Sequence, residues 1–191
     1  MFDQKRLAAV GARYTALDAM RRELQKNAAD ILSGSKRSIF ATQRGDAKTS
    51  AKEIAEAVTK IKAAKKVVAK ESRLAGEGMW RAALEEYAEA HLYHQAMTTG
   101  KVGAVPELPD DPDLYLGALS DLTGELTRSA VLAATERDEE TVKRLTLAVR
   151  DAIAFLLTLN LTGTMRTKFD QAKQNLRKLE EVAFSLSMSQ K

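Results

Sequence analysis

Four acidic residues stand at spacings that could carry chemistry. Glu86 and Glu89 are three apart in Leu84-Glu85-Glu86-Tyr87-Ala88-Glu89-Ala90, and Asp121 and Glu125 are four apart in Ser120-Asp121-Leu122-Thr123-Gly124-Glu125-Leu126. On an α-helix either spacing puts both carboxylates on one face, about one turn apart. Should the two faces meet, four carboxylates converge, and only cations or shared protons make that arrangement tolerable. Oxygen donors without a thiolate or histidine suit hard cations such as Mg²⁺ or Mn²⁺. Such ions activate water and stabilise the charge that builds on a phosphoryl group. The plainer reading of the same residues is a pair of solvent-facing acidic helix surfaces. Two details favour the chemical one. Asp121 adjoins Leu122 and lies close to Leu119, and Gly124 sits inside a helix at a cost of about 1 kcal/mol relative to Ala. A glycine there is expected to admit a neighbouring helix or a substrate backbone.

Other chemistries drop out. There is no cysteine, which removes disulfides, thiolate metal sites and a cysteine nucleophile. No glycine-rich phosphate loop with Gly-Lys-Ser/Thr and no Gly-x-Ser-x-Gly elbow occurs. The two histidines, His91 and His94, are preceded three residues earlier by Ala88 and His91, so the Glu-x-x-His motif of a helical di-iron site is missing. Both are expected at the surface or the edge of the core. Aromatics make up 5% of residues, too few for an extended base-stacking platform, and the net charge of +4 fits an ordinary basic surface or a nucleic-acid partner. No apolar run approaches the roughly 20 residues of a membrane span, and no leader pattern opens the chain. The expected location is cytoplasmic, with no membrane partner.

The elements that must position the acids are helices. With 45% apolar and 29% charged residues and three prolines, 191 residues suit one domain with a sizeable core. A first amphipathic helix runs from Asp3 to about Ile31, and Ser33-Gly34-Ser35 either ends or bends it before Lys36-Arg37-Ser38-Ile39-Phe40. A second, from about Ala47 to Leu74, carries Lys60, Lys62, Lys65, Lys66 and Lys70, which read as a solvated face or as a phosphate surface. A third runs from Met79 to about Thr98 with the first acidic pair. After a loop with two prolines, Asp111-Pro112 reads as an N-cap with proline at the first helical position of a fourth, Asp113 to about Ala134. The fourth carries the second acidic pair. Asp138-Glu139-Glu140 opens a fifth, the most apolar by inspection and expected centrally or at a subunit contact. A sixth spans about Met165 to Met188, with Leu176, Leu179, Val182, Ala183 and Leu186 as its apolar stripe. The fold class is all-α, one domain over residues 1–191, with six to seven helices.

The chain resembles the translin superfamily, and within it the translin-associated factor X (TRAX) branch. The resemblance is carried by Ser35-Lys36-Arg37-Ser38-Ile39-Phe40, by Leu84 to Ala90, by Tyr115-Leu116-Gly117-Ala118-Leu119-Ser120 running on through Asp121-Leu122-Thr123-Gly124-Glu125-Leu126-Thr127-Arg128, and by Lys178-Leu179-Glu180-Glu181-Val182-Ala183-Phe184-Ser185-Leu186. It implies an all-helical protomer assembling into a hollow octamer. TRAX-type subunits are metal-dependent endoribonucleases that cut single-stranded RNA inside the shell, whereas translin-type subunits bind nucleic acid without the acidic site. By position Glu86, Glu89, Asp121 and Glu125 match the four TRAX acids, which makes them the implied catalytic residues and ligands of Mg²⁺ or Mn²⁺. The implied function is a homo-octameric endoribonuclease. Its alternative is a non-catalytic oligomer binding single-stranded RNA or DNA. Lys36 and Arg37 are the expected RNA-phosphate contacts. Arg81 joins them as the one positive charge in Ala75-Gly76-Glu77-Gly78-Met79-Trp80-Arg81, where translin is basic and histidine-containing.

Overall fold

The computed structural model describes residues 1–188. Among them are α1 (Gln4–Gln43), α2 (Ala47–Lys70), α3 (Gly78–Thr98), α4 (Pro112–Thr135), α5 (Glu139–Leu157) and α6 (Gly163–Met188), with a short 3₁₀ turn over Ser72–Gly76 and no strand. Aspartates open four of the helices. Asp3, Asp46, Asp111 and Asp138 each accept from a backbone N–H of the first turn, and Pro112 follows Asp111 as its spacing predicts. Glu139 and Glu140 add negative charge where the α5 dipole favours it.

Two boundaries differ from the sequence reading. Ser33-Gly34-Ser35 neither ends nor separates a helix, because α1 runs through it. Gly34, Ser35 and Ser38 are buried, Gly34 lies against Glu53 of α2, and Ser38 bonds Ser50 Oγ at 2.8 Å. Small side chains there serve close helix packing rather than a break. The second helix stops at Lys70, four residues early. Glu71 is extended, and its buried carboxylate bonds Arg73 at 2.8 Å and pairs with Arg13.

The helix α3 is the spine. Its Trp80, Ala83, Leu84 and Tyr87 pack with Leu24, Ile31, Ile54 and Ile61 of α1 and α2. Further along, Ala88, Leu92, Tyr93 and Ala96 join Leu119, Leu122, Leu126, Val149, Ile153 and Phe169 of α4, α5 and α6. The fourth helix, not the fifth, is the more deeply embedded. Twelve α4 residues are buried against six in α5, which exposes Leu147, Phe155 and Leu157. On α6 only Phe169, Ala172 and Leu179 are buried, so Leu176, Val182, Ala183 and Leu186 form a half-covered stripe. No helix among the described residues is long and apolar enough to cross a membrane.

Candidate functional site

Because α3 packs on both α1 and α4, it brings one acidic pair between residues of the other two helices. Glu86 and Glu89 of α3 and Glu125 of α4 line a single cleft of about 420 Å³. The opposite wall is a face of α1 made of Lys36, Ile39, Phe40 and Gln43, at steps of three and four, and Arg128 closes the α4 side. Gln43 Nε2 donates to Glu125 Oε2, and Arg128 Nε lies 3.8 Å from the same oxygen. Phe40 stands at the lip with 54% of its surface exposed.

The carboxylates strain against one another. Burial pushes the Glu89 carboxyl up from its ordinary 4.5 to about 8, with further push from Asp121, Glu86 and Glu125 and a partial offset from Lys168. Glu86 is raised too, first by burial, then by Asp121, Glu125 and Glu85 against the opposing charge of Lys36. Asp121 and Glu125 of α4 therefore both act on Glu86 and Glu89 of α3.

Asp121 does not line the cleft. It is held by Lys168 of α6, whose Nζ also lies 2.6 Å from Glu85 Oε1. Burial alone would lower the Lys168 pKa, and the hydrogen bonds to Asp121 and Glu85 outweigh it and raise it. The Glu85 carboxyl rests against Gly117, where an added Cβ would come within 2.7 Å of its Cδ. So the glycine that a close approach requires on α4 is Gly117. Gly124 admits no close neighbour: a Cβ there meets only Asn175 Nδ2 at an ordinary 3.6 Å.

The basic residues divide. Lys36 is exposed at the cleft. Arg37, one residue on, points to α2 and bonds Ser33 Oγ and Glu53 Oε2, each at 2.8 Å. Arg81 bonds Asp111 Oδ2 at 2.6 Å and ties the start of α3 to the cap of α4. Neither arginine reaches the acids. On α2, Lys60 pairs with Asp30 at 2.9 Å, and Lys65 and Lys62 pair with Glu107 at 2.8 and 3.8 Å, so much of that face is internally neutralised. His94 Nδ1 bonds Ser50 Oγ at 2.9 Å at the edge of the core, and burial lowers its pKa and that of His91.

Among the described residues, no three histidine, aspartate or glutamate side chains already form a group that could hold a metal ion. The donor chemistry nonetheless fits a hard cation. Three carboxylates share one cleft, and the half-buried Glu89 has its pKa raised to about 8, first by burial and then by the acids around it. Sequence reasoning overlooked Phe40, Gln43 and Arg128, although their helical steps from Lys36 and Glu125 would have marked them. It also overlooked Glu85, Gly117 and Lys168. Lys168 is 47 residues from Asp121 and leaves no local signal.

The sequence profile of the Translin family matches residues 19–190. No curated protein matches the chain. Solved structures that match include apo-NeC3PO, at a TM-score of 0.86 and 21% identity over 97% of this chain and 98% of that one. AfC3PO in a duplex RNA complex matches at 0.84 and 20% over 96% and 97%, and AfC3PO itself at 0.83 and 22% over 96% and 98%. At these identities the likeness establishes a common all-helical fold.

Proposed function

Because the chain belongs to the Translin family, we propose that it is a TRAX-type, divalent-metal-dependent endoribonuclease that cuts single-stranded RNA within a homo-oligomeric shell, an octamer. The observation that carries this reading is the cleft itself. Glu86, Glu89 and Glu125 face Lys36 and an exposed Phe40 of α1 across it, with Arg128 beside Glu125 on α4. An acidic floor with a basic and aromatic rim suits a cation below and a phosphate backbone above. RNA as the ligand class is supported by the matching AfC3PO structure, which holds duplex RNA. Self-association is supported by exposed apolar residues on three helices, Val10 and Tyr14 of α1, Phe155 and Leu157 of α5 and Phe184 of α6.

Glu86, Glu89 and Glu125, joined by Asp121, would hold Mg²⁺ or Mn²⁺, which supplies Lewis acidity and a water of lowered pKa. The rest falls to the chain. Glu86 has a raised proton affinity from burial and its acidic neighbours, and this suits it to take the proton of the attacking water at its carboxylate. Glu89, with its pKa raised to about 8, holds its own proton at neutral pH and would give it up on binding a cation. Lys36 and Arg128 receive phosphate oxygens, and Phe40 offers a face to an unstacked base. Arg37 and Arg81, already paired with Glu53 and Asp111, would touch only RNA that extends beyond the cleft.

A second reading, a non-catalytic oligomer that binds single-stranded RNA or DNA, is favoured by one observation: Asp121 is occupied by Lys168. Incubation of the purified protein with labelled single-stranded RNA separates the two. Cleavage that requires Mn²⁺ or Mg²⁺, stops in EDTA and is lost in Glu125→Ala supports the nuclease. Binding without cleavage in any metal supports the second reading, and cleavage that persists in Glu125→Ala or in EDTA refutes the first.

A further inference from the structure

Lys168 has no part in the reaction proposed above, yet it sits at the hinge of the acidic cluster. It reaches from α6 to two other helices, donating to Asp121 of α4 and lying 2.6 Å from Glu85 of α3. The nearest other acid of its own helix, Asp170, is already paired with Lys173 at 2.7 Å and Arg166 at 3.2 Å, so Lys168 belongs to Glu85 and Asp121. The arrangement is built rather than incidental. Gly117 leaves room for the Glu85 carboxyl against the α4 backbone, and Glu85 then holds the ammonium together with Asp121. Lys168 is only 23% exposed, so its charge is felt inside the cluster, and it reaches Glu89.

A lysine ammonium and a hard cation seek the same thing, a carboxylate oxygen with unspent negative charge. Of the four acids, Asp121 alone does not line the cleft, and its carboxylate is paired with Lys168. We propose that Lys168 is an internal counter-cation that holds Asp121 outside the acidic cleft, so that loading of a divalent metal requires Asp121 to leave Lys168. Lys168 thereby sets the metal affinity of the site, acting as a positioning residue rather than a catalytic one. The inference rests on the reading that Glu86, Glu89, Asp121 and Glu125 hold the cation. Removing the lysine frees Asp121 and restores negative charge to the cluster, and both effects tighten cation binding. A lysine that merely presented Asp121 correctly to the metal would have the opposite consequence, because its loss would disorder a ligand.

The test measures Mn²⁺ binding to the full chain without RNA, from the EPR signal of free Mn²⁺ at pH 7.5. Lys168→Met is expected to bind Mn²⁺ at least tenfold more tightly than wild type, and Lys168→Arg to stay within threefold of it. The gain must run through the aspartate, so Lys168→Met should give no gain in an Asp121→Asn background. Lys36→Met, which removes the lysine of the cleft itself, should tighten Mn²⁺ binding through space and do so equally in that background. If Lys168→Met unfolds, as circular dichroism would reveal, Lys168→Gln replaces it with the same expectations. Mn²⁺ binding by wild type with equal or weaker binding by the Lys168 variants overturns the proposal and leaves the metal site standing. A gain that survives Asp121→Asn overturns it as well, since the effect is then only through-space charge. Absence of Mn²⁺ binding in every protein sinks the metal reading and this inference with it.

Discussion

Replacing Glu89 by glutamine isolates the cost of a half-buried charge in the cleft. The sign follows from the raised pKa. Below about pH 4.5 the carboxyl is protonated in both folded and unfolded chains and costs nothing. Between 4.5 and about 8 the unfolded chain ionises while the folded one retains its proton, so stability falls steadily as pH rises. Above about 8 both forms are ionised and the loss is complete. At about 1.4 kcal/mol per pH unit this window caps the loss at about 5 kcal/mol. Water at the open cleft and relaxation of the side chain bring it to about 2–3 kcal/mol. For a chain of this size each kcal/mol moves Tm by about 2–4 °C. Melting followed by circular dichroism in EDTA should therefore place Glu89→Gln about 5–10 °C above wild type at pH 8.5. At pH 5 the two should melt within about 2 °C of each other. Mn²⁺ should raise the wild-type Tm most at the alkaline end and do little for the variant. Parallel Tm-against-pH curves for the two proteins would refute the reasoning, because the slope would then belong to other groups.

The remaining expectations concern the rim, the buried carboxylate of Glu71 and the core. Lys36→Ala should weaken binding of single-stranded RNA and lower the slope of log affinity against log salt by about one, as fluorescence anisotropy across a salt series would record. Arg37→Ala, which loses a bond to Glu53 rather than a cleft contact, should change that slope little. Glu71 is held down to about 2, first by its hydrogen bond from Arg73 and then by the charges of Arg13 and Arg73. Its stabilisation is present above pH 4.5 and lost as pH falls toward 2, so acid unfolding should be shallower in Glu71→Gln. Leu122→Ala, at a buried position beside Asp121, should cost about 2–5 kcal/mol in urea unfolding with an unchanged m-value.

Local spacing decides how a helix begins and which residues share its face, and at that scale the sequence was sufficient. Asp111-Pro112 and Asp138-Glu139-Glu140 mark helix starts that the structure reproduces, because a cap and its first turn are made within a few residues. The placing of Glu86 and Glu89 in one cleft follows from the same geometry. Errors arose wherever a residue answers to a distant partner. Ser33-Gly34-Ser35 reads locally as an end or a bend, and the structure rules out the end, because Gly34 lies against Glu53 of α2 and the helix continues. Gly124 looked like the point of close approach, whereas Gly117 is the one a carboxyl lies against. Adjacent Lys36 and Arg37 read as one basic pair, yet successive residues on a helix point about 100° apart, and only Lys36 faces the acids. Tertiary packing alone decided that three of the acids share a cleft while Asp121 turns to Lys168. The reason is range: a helix face is set by neighbours three and four residues away, but which faces meet, and which charge arrives between them, is set by the burial of the whole core.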